Sequence, residues 1–317
     1  FWLTGISRCF PRNLDLFLCG ENTVKYLFAK NGGAADISVV EGVMGFYDGA
    51  GIKTAEGSSC ALADLTGTPA LLVVKCSGMA LSAAALVRGY LDFMPNNIKG
   101  VILNGISPGS YPVYKELLES RTGVKVIGFL PKLPQAAIES RHLGLVTAGE
   151  IAGLREKIDL LAGQAEQTVD LDALVQIARA APGLSYDIPA IEKQGYARVA
   201  VAKDRAFCFY YQDSLDLLGQ MGAAIVPFSP LAAAALPDDI DGLILGGGYP
   251  ELYAEALSRN AGMLESVREA VAGGLPTAAE CGGFMYLHET VTDASGKAFP
   301  MAGAVPGGAR LTQRHFV

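Results

Sequence analysis

Residues 277–287, TAAECGGFMYL, join a short β-type run to a helix-like run through a cysteine and two glycines. Residues 277–279 predict a buried strand, and residues 284–288 predict a helix that starts directly after the glycines. A sharp strand-to-helix turn of this kind, a nucleophile elbow, exposes its central side chain and directs the following backbone N–H groups at a developing oxyanion. Cys281 is therefore a candidate nucleophile, with Gly282 as one oxyanion donor. A buried structural cysteine beside a tight glycine turn fits the same residues.

A glycine triplet follows the preceding predicted strand, within residues 241–251, DGLILGGGYPE. Glycines after a strand let the backbone approach a ligand closely and present N–H groups as a nest for an anion. Gly247 and Gly248 are therefore candidates for an oxyanion hole. A glycine triplet is equally compatible with a flexible turn that binds nothing.

The second half of the chain alternates strand-like and helix-like runs around these two motifs. Short, continuous apolar runs predict strands that are buried on both faces. The predicted strands are residues 199–202, 224–228, 242–245 and 277–279, and the predicted helices are residues 214–221, 251–257 and 262–272. Gly222 stands where the glycine that ends a helix belongs. This alternation predicts a parallel sheet covered by helices.

The first half shows the same alternation. Its predicted strands are residues 37–40, 70–74, 100–103 and 124–130, and its predicted helices are residues 79–90 and 111–120. Residues 151–181 are charged and helix-prone, whereas residues 182–195 carry turn residues without periodicity. We therefore place a domain boundary in the latter segment, between two α/β domains.

Length and composition bound the class of protein. At ~100–200 residues per domain a chain of this length predicts two domains, and 50% hydrophobic with 18% charged residues predicts a soluble globular protein. The net charge of −7 argues against a nucleic-acid partner. No apolar run reaches the roughly 20 residues that span a bilayer, so no membrane partner is expected. The six cysteines form no CxxC pair, which disfavours a zinc site or a disulfide scaffold and favours the reducing cytosol.

Two carboxylates follow the first predicted strand, in residues 41–49, EGVMGFYDG. Glu41 ends the predicted strand, and Asp48 lies in the glycine-containing loop after it. A Mg²⁺ ion that bridges the phosphates of ATP takes hard oxygen ligands at such a sheet edge. We therefore predict Glu41 and Asp48 as magnesium and nucleotide ligands. Acidic residues that merely cap a strand end are the alternative interpretation.

Together, the elbow and the glycine triplet resemble the triad glutamine amidotransferase domain, in which a cysteine attacks the side-chain amide of glutamine and releases ammonia. Three further segments carry a wider resemblance: RNLD at residues 12–15, RHLGL at residues 141–145 and AFCFYY at residues 206–211. With the carboxylate loop and the elbow, they make the chain resemble the cobyrinic acid a,c-diamide synthase family from residue 12 almost to Val317.

The resemblance implies an α/β fold of two doubly wound domains, a P-loop NTPase-like parallel sheet followed by a flavodoxin-like glutamine amidotransferase domain. We assign residues 1–190 to an ATP-binding amidoligase domain and residues 195–317 to the amidotransferase domain. The sequence contains no phosphate-binding G-x-x-x-x-G-K-[ST] motif. In addition, Lys75 stands where relatives usually carry an acidic residue.

The family's catalytic histidine lies well downstream of the elbow. His288 is too close to Cys281, on the predicted helix that the elbow starts, and His315 follows a segment that resembles the middle of the domain. We therefore expect the catalytic histidine beyond Val317 and the phosphate loop before Phe1, so that the chain is truncated at both ends.

The resemblance also implies an activity, the ATP-dependent and glutamine-hydrolysing amidation of the a and c acetate carboxylates of cobyrinic acid. It implies ATP and Mg²⁺ as cofactors, and glutamine and cobyrinic acid or a related tetrapyrrole carboxylate as partners. A cytoplasmic enzyme is expected, and a homodimer is compatible with the resemblance.

Further candidate site residues come from matching this chain to the family's segments. Asn104 falls where related ATPases hold adenine with an amide side chain, although Asn-Gly is also an ordinary turn pair. The candidates for the substrate side are Arg12, Asn13, Asp15, Arg141 and His142. Positive charge there suits a polycarboxylate, but a solvated Arg–His loop fits the sequence equally well.

Two other functions remain open. The sister enzyme that amidates nickel sirohydrochlorin shares the elbow and the glycine triplet. A non-catalytic tetrapyrrole-binding or scaffold protein, without a phosphate loop or a catalytic histidine, belongs to a different class. Cobyric acid synthase is disfavoured because its elbow does not usually read Ala-Glu-Cys-Gly-Gly.

Overall fold

The computed structural model describes residues 11–42, 44–138 and 151–310. The chain divides into two compact units, Phe1–Pro189 and Ala190–Val317, and each contains a parallel β-sheet flanked in sequence by helices. The α/β class with parallel sheets, predicted from the sequence, is confirmed. None of the helices among the described residues has the length and apolar character needed to cross a bilayer.

The first unit is built on a three-stranded parallel sheet in the order β1-β2-β3. Its elements are α1 Glu21–Gly32, α2 Ser59–Thr66, β1 Ala70–Lys75, α3 Ser82–Asp92, β2 Ile98–Asn104, α4 Tyr111–Thr122, β3 Val126–Leu130, α5 Leu154–Thr168 and α6 Leu171–Arg179. The strands predicted at residues 70–74, 100–103 and 124–130 are confirmed. The helices predicted at residues 79–90 and 111–120 correspond to α3 and α4.

The core of this unit joins α3 and α4 to the sheet. Val87 of α3 and Leu118 of α4 are fully buried in one cluster with Val101, Leu103 and Val126 of the strands. Each fully buried aliphatic side chain of this size contributes about 1.5–3 kcal/mol. This core therefore fixes the strand ends from which the loops of the unit leave.

The strand predicted at residues 37–40 is wrong, because these residues form no regular secondary structure. Val39 is 88% exposed and Val40 is 42% exposed. A strand needs a neighbour that pairs with its backbone N–H and C=O groups, and among the described residues β1 pairs with β2 alone. An apolar run without a pairing partner does not become a strand. Glu41 consequently follows an irregular segment.

The second unit is built on a four-stranded parallel sheet in the order β5-β4-β6-β7. Its elements are β4 Ala197–Ala202, α7 Gln212–Met221, β5 Ala223–Phe228, β6 Gly242–Leu245, α8 Ala254–Arg259, α9 Ala261–Ala272, β7 Thr277–Ala279, α10 Gly282–Leu287, β8 His288–Thr292, β9 Ala298–Pro300 and β10 Val305–Arg310. A 3₁₀ turn, Pro250–Tyr253, precedes α8. All four strands predicted in this half are confirmed.

This strand order locates the crevice of the second unit. In sequence order the sheet runs second, first, third, fourth. The chain passes from β4 to β5 on one side, then returns across β4 to β6 and β7 on the other side. In open α/β sheets such a switch point opens a crevice at the carboxyl ends of the strands. The loops after β4, β6 and β7 therefore converge at one edge of the sheet.

A second sheet in this unit has the order β10-β8-β9, with β8 parallel to β10 and antiparallel to β9. None of these three strands is predicted from the sequence. The sequence predicts a helix that reaches His288, whereas the structure ends that helix at Leu287 and begins β8 at His288.

The core of the second unit is continuous with the elbow. Leu243 and Leu245 of β6 are buried in one cluster with Leu257, Met263 and Tyr286. The predicted glycine at the end of α7 is confirmed, since Gly222 adopts φ 115° and ψ 1° and caps the helix. Tyr286 belongs to α10, so the helix that follows the elbow is anchored in the core.

Candidate active site

Cys281 occupies the sharp turn between β7 and α10, where it is the N-terminal cap of the helix. Its backbone angles, φ 48° and ψ −114°, lie in a region that costs a non-glycine residue about 1–3 kcal/mol. Asp239 is the one other non-glycine residue with positive φ in the described parts of the chain. The side chain of Cys281 is exposed, which contradicts the reading of a buried structural cysteine.

Small residues after Cys281 allow this turn to pack tightly against the rest of the unit. A Cβ atom on Gly283 would lie 1.9 Å from the carbonyl oxygen of Leu245. A Cβ atom on Gly282 would lie 2.7 Å from Cδ of Pro250. Both distances are far below a van der Waals contact, so glycine is required at both positions. The start of α10 therefore lies directly against the end of β6.

The glycine triplet borders the cysteine. A Cβ atom on Gly247 would lie 3.7 Å from Cβ of Cys281, and one on Gly282 would lie 3.1 Å from the backbone nitrogen of Gly248. The structure thus brings together all four residues predicted for the glutaminase site: Cys281, Gly247, Gly248 and Gly282. As the first residue of a helix, Gly282 has an N–H group without an acceptor within that helix.

The loop after β4 is held in place by Asp204. One carboxylate oxygen accepts hydrogen bonds from the N–H groups of Ala206 (2.8 Å) and Phe207 (3.2 Å). The other accepts from the hydroxyl of Ser229 (2.8 Å) and the N–H group of Leu231 (2.9 Å). Both oxygens are therefore used structurally, and the loop that follows is fixed beside the glycine triplet. No local sequence pattern marks Asp204 for this role, because its partners Ser229 and Leu231 lie 25 and 27 positions later in the chain.

His288 is the one histidine among the described residues, and its ring lies against Phe284. Its Nδ1 atom lies 2.8 Å from the carbonyl oxygen of Phe284, and the two rings make an edge contact at 4.7 Å. The hydrogen bond involves Nδ1 alone, so the expectation that His288 is not the proton acceptor of the cysteine stays a prediction. The other two histidines, His142 and His315, lie outside the described residues.

A cleft of about 450 Å³ in the first unit gathers the predicted carboxylates. Glu41 and Asp48 both line it, as does Asp15, which the sequence analysis assigned to the substrate side. The N-terminus of α2 also borders the cleft through Ser58 and Ser59. Carboxylates suit a cation, and a helix N-terminus suits an anion such as phosphate.

Local hydrogen bonds shape the walls of this cleft. Ser58, which is buried, caps α2 by accepting a hydrogen bond from the N–H group of Ala61 at 3.1 Å. The N–H group of Asp48 donates to the carbonyl oxygen of Gly45 at 2.9 Å. One carboxylate oxygen of Asp15 accepts from Phe17 (2.8 Å) and Leu18 (3.0 Å). Asp15 thus has a local turn-forming role in addition to its place in the cleft.

The remaining candidates of the first unit lie elsewhere. Asn104 ends β2, where it is exposed and pairs in register with Lys75 of β1, and neither residue lines the cleft. Arg12 and Asn13 are near Asp15 in sequence but do not line the cleft either. Arg141 and His142 lie outside the described residues. Within residues 11–42, 44–138 and 151–310, no three His, Cys, Asp or Glu side chains converge to hold a metal ion.

Known proteins match both units. Residues 198–317 match the family described as the CobB/CobQ-like glutamine amidotransferase domain. Over 94% of its length the chain is 42% identical to the cobyrinate a,c-diamide synthase of Caldanaerobacter subterraneus, of which it covers 66%. The protein of the same name from Priestia megaterium is 39% identical over 97% of the chain, which covers 68% of that relative. The protein of the same name from Listeria monocytogenes serotype 4b is 41% identical over 98% of the chain, which covers 69% of that relative. The chain thus spans about two thirds of the length of these relatives.

Proposed function

Since the chain belongs to the cobyrinate a,c-diamide synthase family, we propose that it amidates the a and c acetate carboxylates of cobyrinic acid with glutamine as nitrogen donor and ATP as energy source. The observation that carries the proposal is the exposed thiol of Cys281, held in a strained turn against the glycine triplet. Strain of this size persists only where the surrounding structure enforces it, and such positions cluster at active sites.

In the first half-reaction, the sulfur of Cys281 attacks the side-chain amide carbon of glutamine. The carbonyl π electrons move to oxygen, and the N–H groups of Gly248 and Gly282 stabilise the resulting oxyanion, with Gly247 shaping the same loop. The proton taken from the thiol passes to the amide nitrogen, and collapse of the intermediate then breaks the C–N bond, which releases ammonia and leaves a glutamyl thioester. Water then hydrolyses the thioester to glutamate and regenerates the thiol. The family resemblance implies a histidine as proton acceptor for the thiol, and we propose that this histidine lies outside the described residues.

In the second half-reaction, a carboxylate of the substrate attacks the terminal phosphate of ATP and forms an acyl phosphate and ADP. This step is needed because a carboxylate is a poor electrophile, whereas phosphate is a good leaving group. Ammonia then displaces phosphate from the acyl carbon and gives the amide. We assign this step to residues 1–190 and glutamine hydrolysis to residues 195–317.

We assign the nucleotide end of the second half-reaction to the cleft of the first unit. Glu41 and Asp48 would hold Mg²⁺ there, and the metal would neutralise charge on the phosphates. The pairing of carboxylates with the N-terminus of α2 supports this assignment, since it offers partners to both a cation and phosphate. Asp15 lines the same cleft, so its carboxylate adds negative charge near the proposed Mg²⁺ site. Because these carboxylates do not complete a metal site alone, oxygen atoms of the bound nucleotide and of water would have to complete the coordination of the ion.

Other assignments rest on the family resemblance. We propose that Asn104 contacts adenine and that positive charge on the substrate side binds the carboxylates of the tetrapyrrole. The residues proposed for that side are Arg12, Asn13, Arg141 and His142. A cytoplasmic location and a homodimer belong to the same proposal.

Replacement of the nucleophile tests the glutaminase assignment. With full-length protein, Cys281→Ala should abolish amidation with glutamine but retain amidation with added ammonium, because the synthetase step needs no thiol. Cys19→Ala, which removes a half-buried thiol of the other unit, serves as the matched control and should retain both activities. A Cys281→Ala enzyme that still uses glutamine at the wild-type rate would falsify the assignment.

Replacement of the carboxylates tests the synthetase assignment separately. Glu41→Gln and Asp48→Asn should each lower amidation at least about 100-fold with either nitrogen source, since charge stabilisation at a phosphoryl group is lost. Glutamine hydrolysis should persist. Glu56→Gln, in the same loop but exposed and outside the cleft lining, is the matched control.

Parallel incubation with cobyrinic acid and nickel sirohydrochlorin identifies the tetrapyrrole, and amidation of the nickel compound alone contradicts the proposed substrate.

A further inference from the structure

Tyr210 connects the end of β4 to the glycine triplet. Its hydroxyl donates a hydrogen bond to the carbonyl oxygen of Ala202, the last residue of β4, and accepts one from the N–H group of Gly246 at 2.9 Å. Its ring packs closely against the glycine loop, since a Cβ atom on Gly246 would be 2.5 Å from ring atoms Cε1 and Cζ. Only a glycine at position 246 permits this contact.

The hydroxyl of Tyr210 keeps both of its roles at physiological pH. Burial raises the pKa of Tyr210 to about 12, with a smaller opposing effect from the hydrogen bond of Gly246. The hydroxyl is therefore protonated and neutral under the conditions in which the enzyme works, so it can donate and accept simultaneously.

Backbone hydrogen bonds clamp the next residues of the triplet. The carbonyl oxygen of Gly247 accepts from the N–H groups of Cys208 (3.0 Å) and Phe209 (3.0 Å). The N–H group of Tyr249 donates to the carbonyl oxygen of Ala206 at 3.1 Å. Residues 206–210 thus hold the glycine loop along its whole length, from Gly246 to Tyr249.

This clamp sets the direction of one N–H group. In a trans peptide the C=O and the following N–H point to opposite sides. Because the carbonyl of Gly247 points at residues 208 and 209, the N–H group of Gly248 points away from them. Gly282 lies beside that nitrogen, since a Cβ atom on Gly282 would be 3.1 Å from it. The N–H group of Gly248 is therefore presented beside the elbow that carries Cys281.

We propose that Tyr210 is a positioning residue of the glutaminase site, which holds the loop of residues 246–248 so that the N–H group of Gly248 faces the oxyanion. The inference rests on the proposed glutamine hydrolysis at Cys281. We assign Tyr210 an indirect role and no contact with glutamine or the thiol. It acts through Gly246, by joining the glycine loop to the rigid end of β4.

The kinetic consequence is specific to the transition state. Loss of one oxyanion donor lowers kcat by about 10²–10³, and a displaced donor retains part of its effect. Tyr210→Phe keeps the ring and removes both hydrogen bonds of the hydroxyl. We expect kcat for glutamine hydrolysis to fall about 10–100-fold, with an unchanged KM for glutamine and unchanged amidation from ammonium.

Two thiol reagents separate positioning from general damage. The chloromethyl ketone analogue of glutamine reacts with a cysteine through a tetrahedral adduct that carries an oxyanion, before its chloride leaves. Iodoacetamide alkylates the same sulfur by direct displacement of iodide and forms no oxyanion. Tyr210→Phe should therefore slow labelling of Cys281 by the ketone at least about 10-fold and leave labelling by iodoacetamide at the wild-type rate.

A second variant disturbs the contact between Tyr210 and Gly246 by changing Gly246 in place of Tyr210. Gly246→Ala places a methyl group against the ring of Tyr210 and should reproduce the kinetic and labelling effects. The double variant should lose no more than the worse single variant, because both disturb one interaction. Tyr196→Phe, at a 74% exposed tyrosine of the same unit, is the matched control and should behave as wild type.

The outcomes distinguish this inference from the proposed function. Equal slowing with both reagents, or wild-type kinetics for Tyr210→Phe, overturns the positioning role while glutamine hydrolysis by the wild-type enzyme stands. If the wild-type enzyme does not hydrolyse glutamine and the ketone does not label Cys281, the proposed function itself fails, and the positioning role fails with it.

Discussion

The strained backbone at Cys281 predicts that glycine is more stabilising than alanine at this position, whereas glycine is usually the less stabilising of the two. At φ 48° and ψ −114°, a residue with a Cβ atom costs about 1–3 kcal/mol. Cys281→Gly relieves this strain, whereas Cys281→Ala retains it. Glycine in turn costs about 0.5–1 kcal/mol through the larger entropy of the unfolded chain. Cys281→Gly should therefore be more stable than Cys281→Ala by about 1 kcal/mol, within a range of roughly 0–2.5 kcal/mol.

The comparison is clean because little else changes at this position. The side chain of Cys281 is exposed, and both variants lack the thiol and should lose glutamine hydrolysis equally. Thermal unfolding of full-length protein should show a melting temperature about 3–5 °C higher for Cys281→Gly than for Cys281→Ala. Amide hydrogen exchange of residues 242–245 assigns the transition to the unit that contains the elbow.

An ordinary position in the same unit supplies the control. Ala256 is exposed in α8, and Ala256→Gly should lower stability by about 1 kcal/mol because glycine is a poor helix former. At position 281 the order of stability should be reversed, with the glycine variant more stable than the alanine variant. If Cys281→Gly is instead the less stable of the two by about 1 kcal/mol, the turn stores no strain and the argument for an enforced elbow is refuted.

Two further substitutions test how the elbow is packed. Gly283→Ala should destabilise the unit by about 3 kcal/mol or more in urea unfolding, because its Cβ atom would lie 1.9 Å from the oxygen of Leu245. Gly219→Ala, a helical site where a Cβ atom meets nothing within 4 Å, should instead gain about 0.5–1 kcal/mol, and equal effects at both sites would contradict the packing. Tyr286→Phe should be neutral or gain up to about 1 kcal/mol, since its buried hydroxyl has no hydrogen-bond partner among the described residues while its ring contact with Phe207 at 5.2 Å is kept. A loss above about 1 kcal/mol would reveal a partner for that hydroxyl.

The sequence predicts the second unit well where local pattern and burial agree. Residues 242–245 and 277–279 are continuous runs of apolar or small residues with a glycine within the next three positions, and both are strands in the central sheet. Cys281 between a strand and a helix is likewise a local pattern, so its exposure and its place as a helix cap follow from a few neighbouring residues.

The sequence fails where pairing rather than composition decides the conformation. Residues 37–40 are apolar but exposed, since no described strand pairs with them. The converse holds for β10, VPGGAR, because proline and two glycines argue against a strand by propensity. Nevertheless β10 pairs in parallel with β8. In both cases the partner lies far away in sequence, and a local window does not contain it.

The glycine loop shows the same limit at the level of a site. Sequence spacing could name Gly247 and Gly248 as oxyanion donors but could not choose between them. The choice depends on which way each peptide faces, and that is set by hydrogen bonds with residues 206–210, more than 35 positions earlier in the chain. The motif AFCFYY can be recognised in the sequence. Its contact with the glycine triplet depends on the pairing of β4 with β6, which brings the loops after these two strands together. The direction of the peptides in the glycine loop therefore depends on the pairing of two loops, and the ring of Tyr210 requires glycine at position 246.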